Sequence, residues 1–259
     1  MVKILFVGDI VGRPGRMVLK KFLPQVMQSE MIDFVIANGE NAAGGFGINL
    51  EVSQEILGAG VDVITLGNHT WDNREVTAVL ERESRVIRPI NYPDETPGMG
   101  YIITTAANGM KIGVISVLGL VFLEPLFCPF RAVEDCLAYI KKKTDVIIVD
   151  VHAEATSEKM ALGWYLDGKV SAVIGTHTHI VTADERILPQ GTGYITDAGM
   201  TGPTNSILGV DSQLVIQKFL TKRPVRFEVA AGPAALSGVV LEVNEAGQTV
   251  QIKRVWAST

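Results

Sequence analysis

Five times along this chain a short apolar run stops at residues able to bind a metal or move a proton. The five segments are Gly8-Asp9, Asn38-Gly39-Glu40-Asn41, Gly67-Asn68-His69, Asp150-Val151-His152 and Gly175-Thr176-His177-Thr178-His179. The run at 2–7 is mostly apolar and β-branched, the pattern of a strand buried on both faces. Stretches of helical spacing separate the early runs, and strand–helix alternation implies parallel pairing through crossover helices. The carboxyl ends of parallel strands gather at one edge, where ligands bind. Segments remote in sequence are therefore expected to meet in space.

The rest of the pattern fills in an α/β chain. Met17, Leu19, Phe22, Leu23, Val26 and Met27 predict a helix running to Glu30, with Pro24 as a kink and a turn at Gly12-Arg13-Pro14-Gly15 before it. Further strands are expected at 33–37, 62–66, 145–151, 170–174 and 193–196, and helices at 51–57, 72–83, 131–143, 157–166 and 212–220. Pro89, Pro93 and Pro97 mark 88–100 as a surface loop, and Asn108-Gly109 marks a hairpin between 101–105 and 111–117. The tail reads as antiparallel strands at 226–230, 238–243 and 249–255. Residues 118–130 carry Phe122, Leu123, Leu126, Phe127 and Phe130 with little charge, which suits core packing, a lid or a subunit interface. No repeat or linker divides the chain. Residues 1–259 are expected to form one domain with two sheets, parallel early and antiparallel late.

Composition narrows the function. The net charge of −5 argues against bulk attachment to nucleic acid or an anionic membrane. No apolar run approaches membrane-spanning length, and Ile4 to Val7 is too short for a signal peptide core. The two cysteines, Cys128 and Cys136, lack C-x-x-C spacing and favour a reducing compartment. A cytoplasmic protein with a small-molecule partner is expected.

All 4 histidines fall in the strand-end segments. Carboxylate, carboxamide and imidazole donors suit manganese, iron or zinc better than a thiolate site. On an extended segment His177 and His179 face the same way, so each can serve a different ion. Individually these residues have plainer uses: Asp9 as a turn or cap, Asn38 and Asn68 as turn formers, His152 as a core histidine. Their joint placement at strand ends is what points to a metal site. Gly8 to Gly15 lacks both the phosphate-loop ending and the dinucleotide fingerprint. Arg13 and Arg16 follow the first segment and suit either a phosphate or a solvated helix face, the second being favoured.

Gly8-Asp9, Gly67-Asn68-His69 and Gly175-Thr176-His177-Thr178-His179 resemble the G-D, G-N-H and G-H-x-H blocks of the calcineurin-like binuclear metallophosphoesterases. Gly8 to Gly12, Asn38 to Gly45, Thr176 to Asp184 and Asp197 to Pro203 resemble the YmdB-like branch more closely. Val11 and Glu40 stand where many members of the wider group have histidine and aspartate, as that branch itself shows. The resemblance implies a sandwich of two mixed β-sheets flanked by helices. It also implies two divalent ions, iron or manganese before zinc or magnesium. Glu40 would bridge them, with Asp9, Asn41 and His179 on one ion and Asn68, His152 and His177 on the other. His69 would stay free as general acid while a metal-bridging hydroxide attacks phosphorus. Asn41 and Asn68 coordinate without charge, so Asp9 and Glu40 leave the pair net positive toward a phosphodiester anion. The implied activity is hydrolysis of cyclic nucleotides, notably 2′,3′-cyclic ones. The alternatives are a phosphomonoesterase or nuclease on the same site, or a regulatory nucleotide-binding metalloprotein. A homo-oligomer is part of the expectation.

Overall fold

The computed structural model describes residues 1–259. In chain order the first elements are β1 (Val2–Val7), β2 (Asp9–Ile10), α1 (Gly12–Glu30), β3 (Phe34–Asn38), α2 (Leu50–Gly58), β4 (Val63–Thr65), α3 (Val76–Arg82) and β5 (Val86–Ile87). The middle holds β6 (Tyr101–Thr105), β7 (Lys111–Leu118), α4 (Pro129–Ile140), β8 (Ile147–His152), α5 (Thr156–Leu166) and β9 (Ala172–Thr176). The chain ends with β10 (Arg186–Ile187), β11 (Gly193–Ile195), β12 (Met200–Pro203), α6 (Ser212–Thr221), β13 (Ala234–Val243) and β14 (Thr249–Ser258).

Two sheets face each other between two layers of helices. One has the order β2-β12-β13-β1-β3-β4-β5, with β14 on β13; the other runs β10-β11-β9-β8-β7-β6. Side chains alternate across a strand, and β1 shows the consequence. Ile4 and Phe6 join Phe34, Ile36, Val114, Ile148 and Ile174 between the sheets. Leu5 and Val7 pack outward with Leu19, Leu23, Val52 and Ile56 of α1 and α2. On the far side Ile147, Val149 and Val151 of β8 meet Val133, Leu137 and Leu162 of α4 and α5. This is the expected sandwich of two mixed sheets.

Several boundaries differ from the sequence expectation. The sheets do not divide into an early parallel and a late antiparallel one. β13 pairs antiparallel with β1, Val2 opposite Val243, so the tail completes the first sheet. The segment Gly12-Arg13-Pro14-Gly15 is the first turn of α1, because the opening N–H groups of a helix lack internal partners and proline loses nothing there. Met17 is exposed. α3 starts at Val76 rather than 72, since Asp72 N bonds His69 O and Val76 N bonds Asn73 O in successive turns. Residues 88–100 are irregular as expected, but Arg88, Asn91 and Tyr92 are buried. Asn91 bonds Leu118 through both amide atoms, and Arg88 caps the carbonyls of Pro89, Thr96 and Pro97. Residues 226–230 form no strand. Their backbone bonds the loop at 209–211, through Asp211 N to Glu228 O and Ala230 N to Gly209 O. Phe122 and Phe127 are exposed rather than packed in the core.

Candidate active site

The five strand-end segments meet at one edge of the sandwich. The first sheet brings Asp9 on β2, Glu40 and Asn41 after β3, and Asn68 and His69 after β4. The second brings His152, the last residue of β8, and His177 and His179 just past β9. Gly67 is required here, because a Cβ would lie 2.3 Å from His152 Cδ2 and 2.5 Å from Glu40 Oε2. His177 and His179 both have left-handed backbones, φ 96° and 64°. Strained residues of this kind persist where their surroundings over-determine them.

Glu40 lies at the centre. Its Oε1 is 3.0 Å from His152 Nε2 and accepts from Asn41 Nδ2 at 3.1 Å; its Oε2 accepts the His69 backbone N–H at 3.0 Å. His152 Nε2 also lies 2.9 Å from Asn68 Oδ1 and 3.1 Å from His177 Nδ1. On the other side, His179 Nε2 is 3.3 Å from Asn41 Nδ2 and 3.8 Å from Asp9 Oδ1. The structure brings all seven residues expected as ligands together around Glu40, and Asp9 also lies beside His152 Nδ1 at 3.9 Å and accepts from the His177 backbone N–H at 3.2 Å.

This donor set fits divalent cations. Asp9 Oδ1 is buried with no hydrogen-bond partner, which native proteins rarely tolerate without an ion or water. His152 Nε2 carries at most one proton yet faces the carboxylate oxygen of Glu40, the amide oxygen of Asn68 and the ring nitrogen of His177. A cation satisfies such convergent lone pairs together; one proton cannot. The ligand atoms of Glu40, His152 and His177 lie within 4.8 Å of one another.

The charges agree. Burial alone favours neutral forms of Glu40 and His152, but each holds the other ionised, leaving Glu40 at about 2 and His152 at about 9. Burial pushes Asp9 up to about 6. Burial and the neighbouring His152 cation bring His177 down to about 3, keeping it a neutral imidazole.

A layer of polar residues orients these groups. His152 Nδ1 is 2.9 Å from Thr176 Oγ1, which donates to buried Asp150 at 2.7 Å. His177 Nε2 meets Glu154 at 3.1 Å, leaving Nδ1 for the cluster, and His179 Nδ1 meets Leu208 O at 3.1 Å, leaving Nε2. Fixing one ring nitrogen in this way sets the tautomer at the other. His69 stands apart. Its Nδ1 is 2.8 Å from Asp72 Oδ2, and the ring lines a cavity of about 250 Å³ in front of the cluster. Sequence reasoning gave no role to Asp72, Glu154, Thr176 or Asp197. Asp72 follows His69 by three residues and Glu154 follows His152 by two, so spacing carried a faint signal. Arg16 is neither solvated nor at the site: it bonds Glu55 at 2.7 Å and Ala42 O at 2.6 Å.

Two facing mixed sheets with a carboxylate, amide and imidazole cluster at their shared edge define the metallophosphoesterase class. Within it the chain belongs to the YmdB-like protein family, whose model matches residues 5–255. A Bacillus subtilis (strain 168) protein named 2′,3′-cyclic-nucleotide 2′-phosphodiesterase is 48% identical over 255 residues, 98% of this chain and 96% of its own. The crystal structure of a hypothetical protein from Thermus thermophilus matches with TM-score 0.93 and 45% identity, covering 99% of each chain. A Mycoplasma pneumoniae protein described as a novel phosphatase gives TM-score 0.93 and 34% identity, covering 99% of this chain and 93% of that one.

Proposed function

We propose that the protein is a metal-dependent phosphodiesterase acting on 2′,3′-cyclic nucleotides. Asp9, Glu40, Asn41, Asn68, His152, His177 and His179 would hold two divalent ions, iron or manganese, with Glu40 shared. The observation that carries this reading is the convergence of these residues on one cavity that also presents a histidine outside the cluster. The activity named for the Bacillus subtilis relative supports the substrate class. Divalent ions held there would supply Lewis acidity, activating water and offsetting charge on the phosphoryl oxygens.

The residues divide the remaining work. Hydrolysis forms a bond from water oxygen to phosphorus and breaks one ring P–O bond, and the departing ribose oxygen needs a proton. His69 is placed to give it. Asp72 holds Nδ1, so a protonated ring presents its Nε2–H to the cavity. Ring strain in a five-membered cyclic diester helps expel that oxygen. The whole chain is read as one catalytic unit. The free cysteines Cys128 and Cys136 suit a reducing compartment, and self-association through exposed Phe122 and Phe127 is testable by sedimentation.

Elemental analysis and a substrate panel test the reading together. The expected result is two divalent ions per chain and turnover of a 2′,3′-cyclic nucleotide well above that of a linear diester or a monoester. Glu40→Ala should abolish metal retention and turnover together, and full metal content in that variant rules out the shared-ligand role. Preference for the monoester or linear diester favours the phosphatase or nuclease alternative.

A further inference from the structure

The cavity in front of the cluster is lined by two chemically different sets of groups. One set is polar, Glu40, Asn41, His69, His177 and His179 with Glu154, Thr178 and Glu228; the other is apolar, Val11, Phe46, Leu208, Val210, Phe227 and Val229. Chemistry at phosphorus uses only the first. No lysine or arginine lines the cavity, so no fixed side-chain cation is there to grip a substrate phosphate.

Phe46 does not behave as a core residue. It sits between Gly44, Gly45 and Gly47, with φ 71°, 100° and 70°, on a loop whose backbone only glycine adopts easily. Its side chain is 46% exposed, and its ring meets His69 edge-on with centroids 5.2 Å apart. A half-exposed aromatic ring in the cavity lining thus lies beside the candidate acid. Leu208 repeats the pattern. It is 47% exposed, has a left-handed backbone at φ 53°, and gives its carbonyl to His179 Nδ1. Two large apolar side chains are thus left half-exposed in the cavity lining, Leu208 on a left-handed backbone of its own and Phe46 among glycines that have one. Each is tied to a histidine of the site.

We propose that this wall is a subsite for the nucleobase, with the base stacked on Phe46 and Leu208 and Phe227 completing its apolar lining. The inference rests on the diesterase reading and extends it from the phosphate to the rest of the substrate. A nucleobase is flat, has a π-face for an aromatic ring, and is carried on the ribose that bears the cyclic phosphate. Such stacking tolerates all bases, so broad base acceptance is expected.

The test compares two five-membered cyclic diesters, 2′,3′-cyclic AMP and glycerol 1,2-cyclic phosphate, which has the same reacting ring and no base. The native protein should prefer the nucleotide in kcat/KM. Phe46→Ala should lower the ratio of nucleotide to glycerol diester by about tenfold or more, the range for loss of one base–aromatic stack. Phe46→Tyr should restore it. An unchanged ratio in Phe46→Ala overturns the subsite, including the case where both substrates slow equally because Phe46 acts through His69. Glycerol diester turnover with no nucleotide preference in the native protein overturns the subsite and leaves the diesterase reading standing. Turnover of neither overturns both.

Discussion

His69 serves the site through two different atoms. Its backbone N–H bonds Glu40 Oε2, and its ring faces the cavity with Nδ1 held by Asp72. A change of side chain leaves the first contact intact. His69→Ala should therefore keep its metal while turnover falls roughly 10²- to 10⁴-fold, the usual share of a general acid. Metal analysis beside steady-state kinetics checks this, and parallel loss of metal makes His69 a ligand instead. Asp72→Ala frees the ring from outside the cluster. Losses for orienting partners run about 10- to 100-fold, so its defect should be smaller than that of His69→Ala. At this scale the sequence was informative wherever a residue type is rare. Four histidines, all at strand ends, announce a site; a carboxylate such as Asp72 or Glu154 is one of 28 acidic residues and has no comparable contrast.

Elements hold these residues in conformations they would not choose. Two left-handed histidines flank Thr178, each costing about 1–3 kcal/mol unless held. Asp197 supplies the hold. Its Oδ2 accepts from the Thr178 backbone N–H at 3.0 Å and hydroxyl at 2.7 Å, and Lys159 of α5 pairs with it at 2.8 Å, both charges buried. Breaking a buried pair typically costs about 3–5 kcal/mol, so Asp197→Asn should unfold at markedly lower denaturant. Thr178→Val removes only the hydroxyl contact. It should lose about 1 kcal/mol of stability and still bind metal more weakly, because the turn between His177 and His179 loosens. Metal titration of that variant is the check; unchanged affinity confines the clamp to stability. The sequence located strands β1, β7 and β8 closely because apolar runs and their polar ends are local signals. It misplaced the start of α1, where Gly and Pro signal turns in isolation but are tolerated in a first helical turn. It missed the irregular path of 226–230 because a segment of alternating polar and apolar residues becomes a strand only if a strand edge is free beside it. The place of β13 beside β1 joins Val2 to Val243, a pairing no local pattern encodes.

Across the whole molecule, the site is also a joint between the sheets. Asp150 on β8 reaches across to Thr65 on β4 and Asn38 on β3, and Ser116 on β7 bonds Leu66 O at 2.8 Å. The proposed ligands divide likewise, Asp9, Glu40, Asn41 and Asn68 from one sheet and the three histidines from the other. Bound cations would tie the two sheets, and binding to the folded state alone adds about 1.4 kcal/mol for each tenfold excess over Kd. Protons oppose that gain. Without metal, His152 at about 9 and Asp9 at about 6 both lie above their unfolded values. Their protonated forms stabilise the metal-free fold at low pH, and that contribution is lost as pH rises through about 6 and then about 9. Glu40 runs the other way, its contribution present above its unfolded value and lost as pH falls toward about 2. A cation held by His152 and Asp9 would displace their protons, so its affinity would rise over the same window in which the metal-free protein weakens. The rise in melting temperature on adding manganese should therefore grow between pH 6 and pH 9 at fixed free metal, and loading near neutral pH should release protons to a weak buffer. A shift that shrinks with pH, or loading without proton release, separates the cation from His152 and Asp9 and places its ligands elsewhere.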